Sequence, residues 1–267
     1  MNAYRIALVL LLSHFAAFAQ SSNLPDHLDS LMVRCFSQAN LQSHEYAGNC
    51  ASISVIKLAM RRYGRENVLL HVDSLETGYD VQLRDGTRFT LSKAELASMA
   101  GLDKFVPGTD PRFCKSARFI YAVMAKNRLL MLDPIWYSTA KCKLDNINWQ
   151  PSSANSAKYK TVRDVACDMS TGRHPACQFE LITDTKANFC LLGLSGEVVT
   201  TTINPKQFAT TTSGVIVTSE RHSAYCGKGF YDEYGTMLSI SEFRSQHCIA
   251  FSCLLPNRDI QTVYSLK

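Results

Sequence analysis

Residues 51–63 constrain the fold most, because the apolar side chains Ile53, Ile56, Met60 and Tyr63 recur at three- and four-residue steps. That spacing predicts a helix with one face that other parts of the chain must cover. Gly64 stands where a helix C-cap belongs, after Arg61 and Arg62 in the predicted last turn. Tyr46, Ala47, Gly48 and Asn49 lead into the segment as a turn, and Cys50 comes directly after them. The first amide N–H groups of a helix have no partner inside it, and the helix dipole is positive at that end. Both effects favour thiolate over thiol, so Cys50 reads as a candidate nucleophile.

Residues 1–19 have the pattern of an export signal: Arg5, an apolar run over 6–12, and Ala17, Phe18 and Ala19 as a small-x-small cleavage site before Gln20. The expected mature chain is exported, secreted or periplasmic, and has no cysteine just past the site to accept a lipid. No later stretch approaches the roughly 18–20 apolar residues of a membrane span. About 248 residues remain, enough for one large domain or two small ones. With 46% hydrophobic and 19% charged residues, a sizeable core is expected. The formal charge is only +5, without a Lys/Arg run or a basic stripe interleaved with aromatics, which argues against nucleic acid as a partner.

Ten cysteines in an exported chain predict disulfides. If Cys50 stays reduced, nine are left, an odd number, and spacing does not give the connectivity. Cys167, His174 and Cys177 match no compact metal motif, so disulfide or core cysteines are expected there, with no metal and no cofactor.

Along the chain, helices are expected at 26–39, 51–63, 92–101, 110–131 and 159–170. Ser92 and Glu95 form a capping box, and Asp110 with Pro111 makes an N-cap and first turn. Strands are expected at 68–72 and over 79–91, folded at Asp85-Gly86. Residues 133–155 lack periodicity and predict a linker or surface excursion. Strand-like runs follow at 191–194, 198–203, 215–218 and 222–225, then a helix from Ser239 and a strand over 249–254. The fold class expected is α+β, helix-rich over about 24–170 and sheet-rich over about 175–267.

A cysteine nucleophile needs a base and a group to orient that base. His222 stands on a predicted strand before the turn at Gly227, Lys228 and Gly229, and Asp232 stands on the strand after it. A hairpin centred on Lys228 places 222, 224, 232 and 234 on one face, with Asp232 diagonal to His222. His247 and Asp133 are the rival base and acid, and Glu233 competes with Asp232.

These residues resemble the papain-like cysteine proteases, and among them the calpain type. Gly48-Asn49-Cys50 is similar to the family's Gly-Asp-Cys step onto a central helix. His222-Ser223-Ala224-Tyr225 is similar to its His-Ala-Tyr strand, with one residue inserted, and Asp232-Glu233-Tyr234-Gly235 loosely matches its Asn-Pro-Trp-Gly. The resemblance covers about 35–40 residues and implies a two-lobed fold, a helical N-terminal lobe and an antiparallel-sheet C-terminal lobe. It implies that Cys50 attacks a carbonyl, His222 moves the proton and Asp232 orients the ring. The family's oxyanion-hole Gln stands six residues before the nucleophile, where this chain has His44, and the nearest Gln is Gln42. Ala51 stands in place of the Trp that follows the family's cysteine. The implied activity is cleavage of a peptide or protein substrate through a thioester. A transglutaminase-like transfer to an amine and a non-catalytic binding module are the alternatives.

Overall fold

A computed structural model describes residues 49–103, 105, 111–141, 150–171 and 178–200, and the strands at 214–217, 222–227, 230–233, 236–239 and 262–266; at Cys50, at 171, over 178–184 and in the strands from 196 onward it describes the backbone. In chain order these residues form α1 (Cys50–Tyr63), β1 (His71–Ser74), β2 (Gly78–Gln82), β3 (Arg88–Ser92), α2 (Lys93–Ser98) and α3 (Pro111–Leu130). Then come α4 (Pro134–Thr139), α5 (Ser153–Lys158), α6 (Val162–Thr171) and α7 (Gln178–Leu191). The strands β4 (Gly196–Thr200), β5 (Gly214–Val217), β6 (His222–Gly227), β7 (Phe230–Glu233), β8 (Thr236–Ser239) and β9 (Thr262–Leu266) follow. The architecture is α+β, with two antiparallel sheets: β1-β2-β3, and a six-stranded sheet in the order β4-β9-β5-β6-β7-β8.

α1 forms where the periodicity predicts it, and Gly64 follows at φ 81°. Its burial is broader than one face, because every residue from Ala51 to Met60 is buried, Ser52, Ser54 and Lys57 included. The reason is its place in the fold. α1 packs against β5 and β6 of the larger sheet and also against α3 and α7.

The capping box at Ser92 and Glu95 is complete, with the Ser92 hydroxyl accepting from the Glu95 N–H and the Glu95 carboxylate accepting from the Ser92 N–H. The Asp85-Gly86 turn is closed by the Gly86 N–H donating to the Leu83 carbonyl at 2.9 Å, with Gly86 at φ 87°. The first strand begins three residues later than expected, at His71. Val68 and Leu69 turn into the core, and the Arg84 guanidinium takes the carbonyls of Asn67 and Val68 that a strand partner would otherwise satisfy.

Two further expectations are corrected. Residues 191–194 are the end of α7 and the turn after it, with Gly193 at φ 66°. Part of 133–155 is ordered as α4, where the Asp133 carboxylate accepts the N–H groups of Ile135 and Trp136 and Pro134 takes the first turn. Trp136 then packs its ring edge-on to Phe89, so this stretch joins the core. Ser239 closes β8, and β9 had no sequence signal. The helices expected at 26–39 and after Ser239, and the strand at 249–254, lie outside the described residues.

Asp168 on α6 joins three helices. It accepts from Arg128 of α3 at 3.3 Å, from Lys158 of α5 at 3.0 Å and from the Tyr159 hydroxyl at 2.8 Å. Burial works to raise its pKa, but the Lys158 bond, the Arg128 charge and the Tyr159 bond outweigh that and hold the carboxyl below its ordinary range. A depressed carboxyl stabilises the fold above its unfolded value of about 3.9, and that contribution is lost as pH falls through the folded value. Arg128 is itself buried, so Asp168→Asn is expected to cost about 2 kcal/mol at pH 7. Thermal unfolding from pH 7 down to pH 2 checks this, because the two proteins should converge as the wild-type carboxyl is protonated.

Candidate active site

Cys50 is the first residue of α1, and the Asn49 carbonyl accepts the Ile53 N–H at 3.1 Å as the first helical bond. Asn49 is buried to 1% exposure, yet its side chain does not cap the helix. Its Nδ2 instead donates to the Asp103 carbonyl at 2.7 Å. The Asp103 carboxylate in turn accepts the Phe105 N–H at 2.7 Å and Arg118 Nε of α3 at 3.2 Å. The residue before Cys50 is therefore fixed through 103–105 to α3, and the leading N–H groups of α1 are left uncapped by Asn49. No acidic residue stands in the first turn of α1 to compete with an anion there. Asn49 Oδ1 has no hydrogen-bond partner among the described residues, an arrangement that costs about 1–3 kcal/mol in a buried amide. One turn into the helix neighbourhood, Ser52 Oγ donates to Asn188 Oδ1 at 2.8 Å, joining α1 to α7.

His222 is the first residue of β6, the strand against which α1 packs. β6 pairs with β7 so that Ala224 is the Cα partner of Asp232 and Tyr225 that of Tyr231. This is the pairing that a turn centred on Lys228 predicts. The register shifts between Tyr225 and Gly227, on the turn side, so the bulge leaves the parity between 222 and 232 untouched. By the two-residue repeat of strands, positions 222, 224 and 232 share one face of the hairpin, with 232 diagonal to 222. Glu233, the partner of Thr236, falls on the opposite face by the same parity. Asp133 is occupied in capping α4. Gln42, His44 and His247 lie outside the described residues.

The cysteines separate by environment. Cys190 on α7 is disulfide-bonded to a partner that is not among the described side chains. Cys167 is an exposed thiol, which corrects the expectation that it is bridged or in the core. Its neighbours in the weighed zinc pattern, His174 and Cys177, lie outside the described residues. Among the described residues no cluster of His, Cys, Asp or Glu could hold a metal ion, and no helix is long and apolar enough to cross a membrane.

No family model, curated protein or solved structure matches the chain. The candidate site rests on its own geometry: a cysteine at a helix start that Asn49 does not cap, a histidine on a strand packed against that helix, and an aspartate at a position on the histidine's face. Sequence reasoning missed the tether from Asn49 to Asp103 and the Ser52–Asn188 bond. Both join residues far apart in the chain, 54 and 136 positions, and carry no local signal.

The tether gives a test. Asn49→Ala should cost about 1 kcal/mol at any pH, the worth of one hydrogen bond. Asn49→Asp should behave differently, since a buried carboxyl can replace the donor only while protonated. Its folded value is raised, so stability is kept at low pH and lost as pH rises above about 3.9, by about 1.4 kcal/mol per pH step until the folded value is reached. Denaturant melts at pH 4 and pH 7 should therefore show a small Asp penalty at pH 4 and a larger one at pH 7. Equal penalties would contradict the buried contact with Asp103.

Proposed function

We propose that this chain is an exported cysteine hydrolase of papain-like, two-lobed architecture, acting by acyl transfer on a peptide or protein substrate. The observation that carries the reading is the packing of α1, which begins at Cys50, against β6, which begins at His222, with Asp232 on the face of His222. The order of the three residues in the chain and the resemblance of their surroundings support the same reading.

In this reading the Cys50 thiolate attacks the scissile carbonyl, and the S–C bond forms as the carbonyl oxygen takes up negative charge. The Cys50 backbone N–H, uncapped by Asn49, stabilises that oxygen, and Gln42 or His44 supplies the second donor. Protonated His222 gives its proton to the leaving nitrogen as the C–N bond breaks, leaving a thioester on Cys50. Neutral His222 then takes a proton from water, whose oxygen attacks the thioester and releases the acid and the thiolate. Asp232 holds the imidazole in one tautomer throughout.

Iodoacetamide labelling tests the thiolate, with the exposed Cys167 as internal reference. A thiol held well below the free range gains more in thiolate fraction at mildly acidic pH than it loses in nucleophilicity, so Cys50 should react several-fold faster than Cys167. His222→Ala should remove most of that difference. Equal rates at Cys50 and Cys167 in the wild-type chain would contradict the reading, and incorporation of a primary amine into product would turn it toward transferase chemistry.

A further inference from the structure

β1 is the outermost strand of the smaller sheet, and among the described residues no strand lies on its far side. All four of its residues are exposed, the apolar Val72 to 39%. The Leu75 N–H donates to the Gly78 carbonyl at 2.8 Å, and antiparallel alternation from that pair makes Asp73–Asp80 and His71–Gln82 the bonded pairs toward β2. Val72 and Ser74 therefore turn their N–H and C=O groups outward, an open template for another strand. Val72 shares the face of its fully buried partner Val81, and it lines a groove of about 960 Å³ between 65–72 and the first half of α3. On the opposite face His71 Nε2 and the Asp73 carboxylate, both half-exposed, pair at 2.8 Å. Asp80, the partner of Asp73 on β2, is bound by Arg88.

The strand that fits this edge best is the same edge running the other way. We infer that a second copy of the chain docks here, β1 against β1 in antiparallel about a two-fold axis through Val72. Val72 then exchanges both backbone bonds with Val72 of the second copy, and the two side chains meet at the groove. His71 falls opposite Asp73 of the second copy, and Asp73 opposite its His71. Each chain keeps its own His71–Asp73 pair, which is a dipole along the strand, and two such dipoles side by side and antiparallel attract. The neighbouring registers fail on charge. Val72 opposite Ser74 sets the two Asp73 carboxylates against each other, and Val72 opposite Leu70 does the same to the two His71 rings. An unrelated strand offers the backbone bonds alone. The pairing closes on two copies and joins their three-stranded sheets into one. It does not depend on chemistry at Cys50.

Sedimentation velocity on the full chain tests this over about 1–200 µM, the range in which an interface this small associates. The expected result is a monomer–dimer equilibrium. Val72→Lys, at an exposed position, sets two ammonium groups opposite each other and should weaken the dimer about tenfold while leaving the thermal unfolding midpoint in place. Complementation tests the register without relying on that variant. His71→Asp alone makes the edge acidic and Asp73→Lys alone makes it basic, so each should self-associate several-fold more weakly than the wild-type chain. An equimolar mixture of the two should recover the dimer, because acidic positions then face basic ones although neither chain regains its own ion pair. A monomer throughout the range, a dimer indifferent to Val72→Lys in a folded protein, or a mixture that associates no better than its components would each overturn the inference.

Discussion

The buried stretch of α1 from Ala51 to Met60 sets the terms for the rest of the chain. Ile53, Val55, Ile56, Leu58, Ala59 and Met60 are each almost fully withdrawn from water, and a large apolar side chain is worth about 1.5–3 kcal/mol when buried this way. A helix buried around its whole circumference needs partners on every side. The larger sheet supplies β5 and β6, and the helical part supplies α3 and α7. Polar residues on such a helix must be satisfied by those partners, as Ser52 is by Asn188. The two halves of the chain are thus held to a single element.

That constraint also places the candidate chemistry. A helix locked on all sides has an N-terminus that cannot drift, and the Asn49–Asp103–Arg118 links fix the residue just before it. The side chain that could have capped the helix is drawn away to Asp103, which leaves the leading N–H groups without that competitor. The same packing brings α1 against the strand that begins at His222. Disorder in the entry loop or a capping carboxylate at 49 would each weaken a thiolate at Cys50. The buried contact with a carbonyl explains why position 49 carries an amide and not an acid.

Features set by local chemistry were legible in the sequence. The capping box at Ser92, the Asp85-Gly86 turn, the bounds of α1 and the hairpin register of β6 with β7 all follow from residues within a few positions of one another. Features set by distant partners were not. The full burial of α1 includes Lys57, a residue that reads as solvent-facing until the sheet and helices close around it. α7 escaped notice because Thr185, Ala187, Asn188 and Phe189 are buried without an apolar stripe to mark a face. β9 joins β4 and β5 from the far end of the chain, and Thr262–Leu266 carries no turn signal to announce it. Around the candidate site, the helix start at 50 and the register of 222 with 232 were legible, whereas the tether that holds Asn49 was not.

The account turns on Cys50 being a reduced thiol, and Cys190 offers the most direct measurement. Cys190 lies on α7, which packs against α1, and it is disulfide-bonded. Native protein alkylated without reduction, then digested and analysed by mass spectrometry, identifies both the labelled thiols and the Cys190-linked peptide. The account predicts that Cys50 carries the label and that Cys190 is joined to a different cysteine. A peptide linking Cys50 to Cys190 would contradict it, because the thiol proposed as nucleophile would then be a structural bridge.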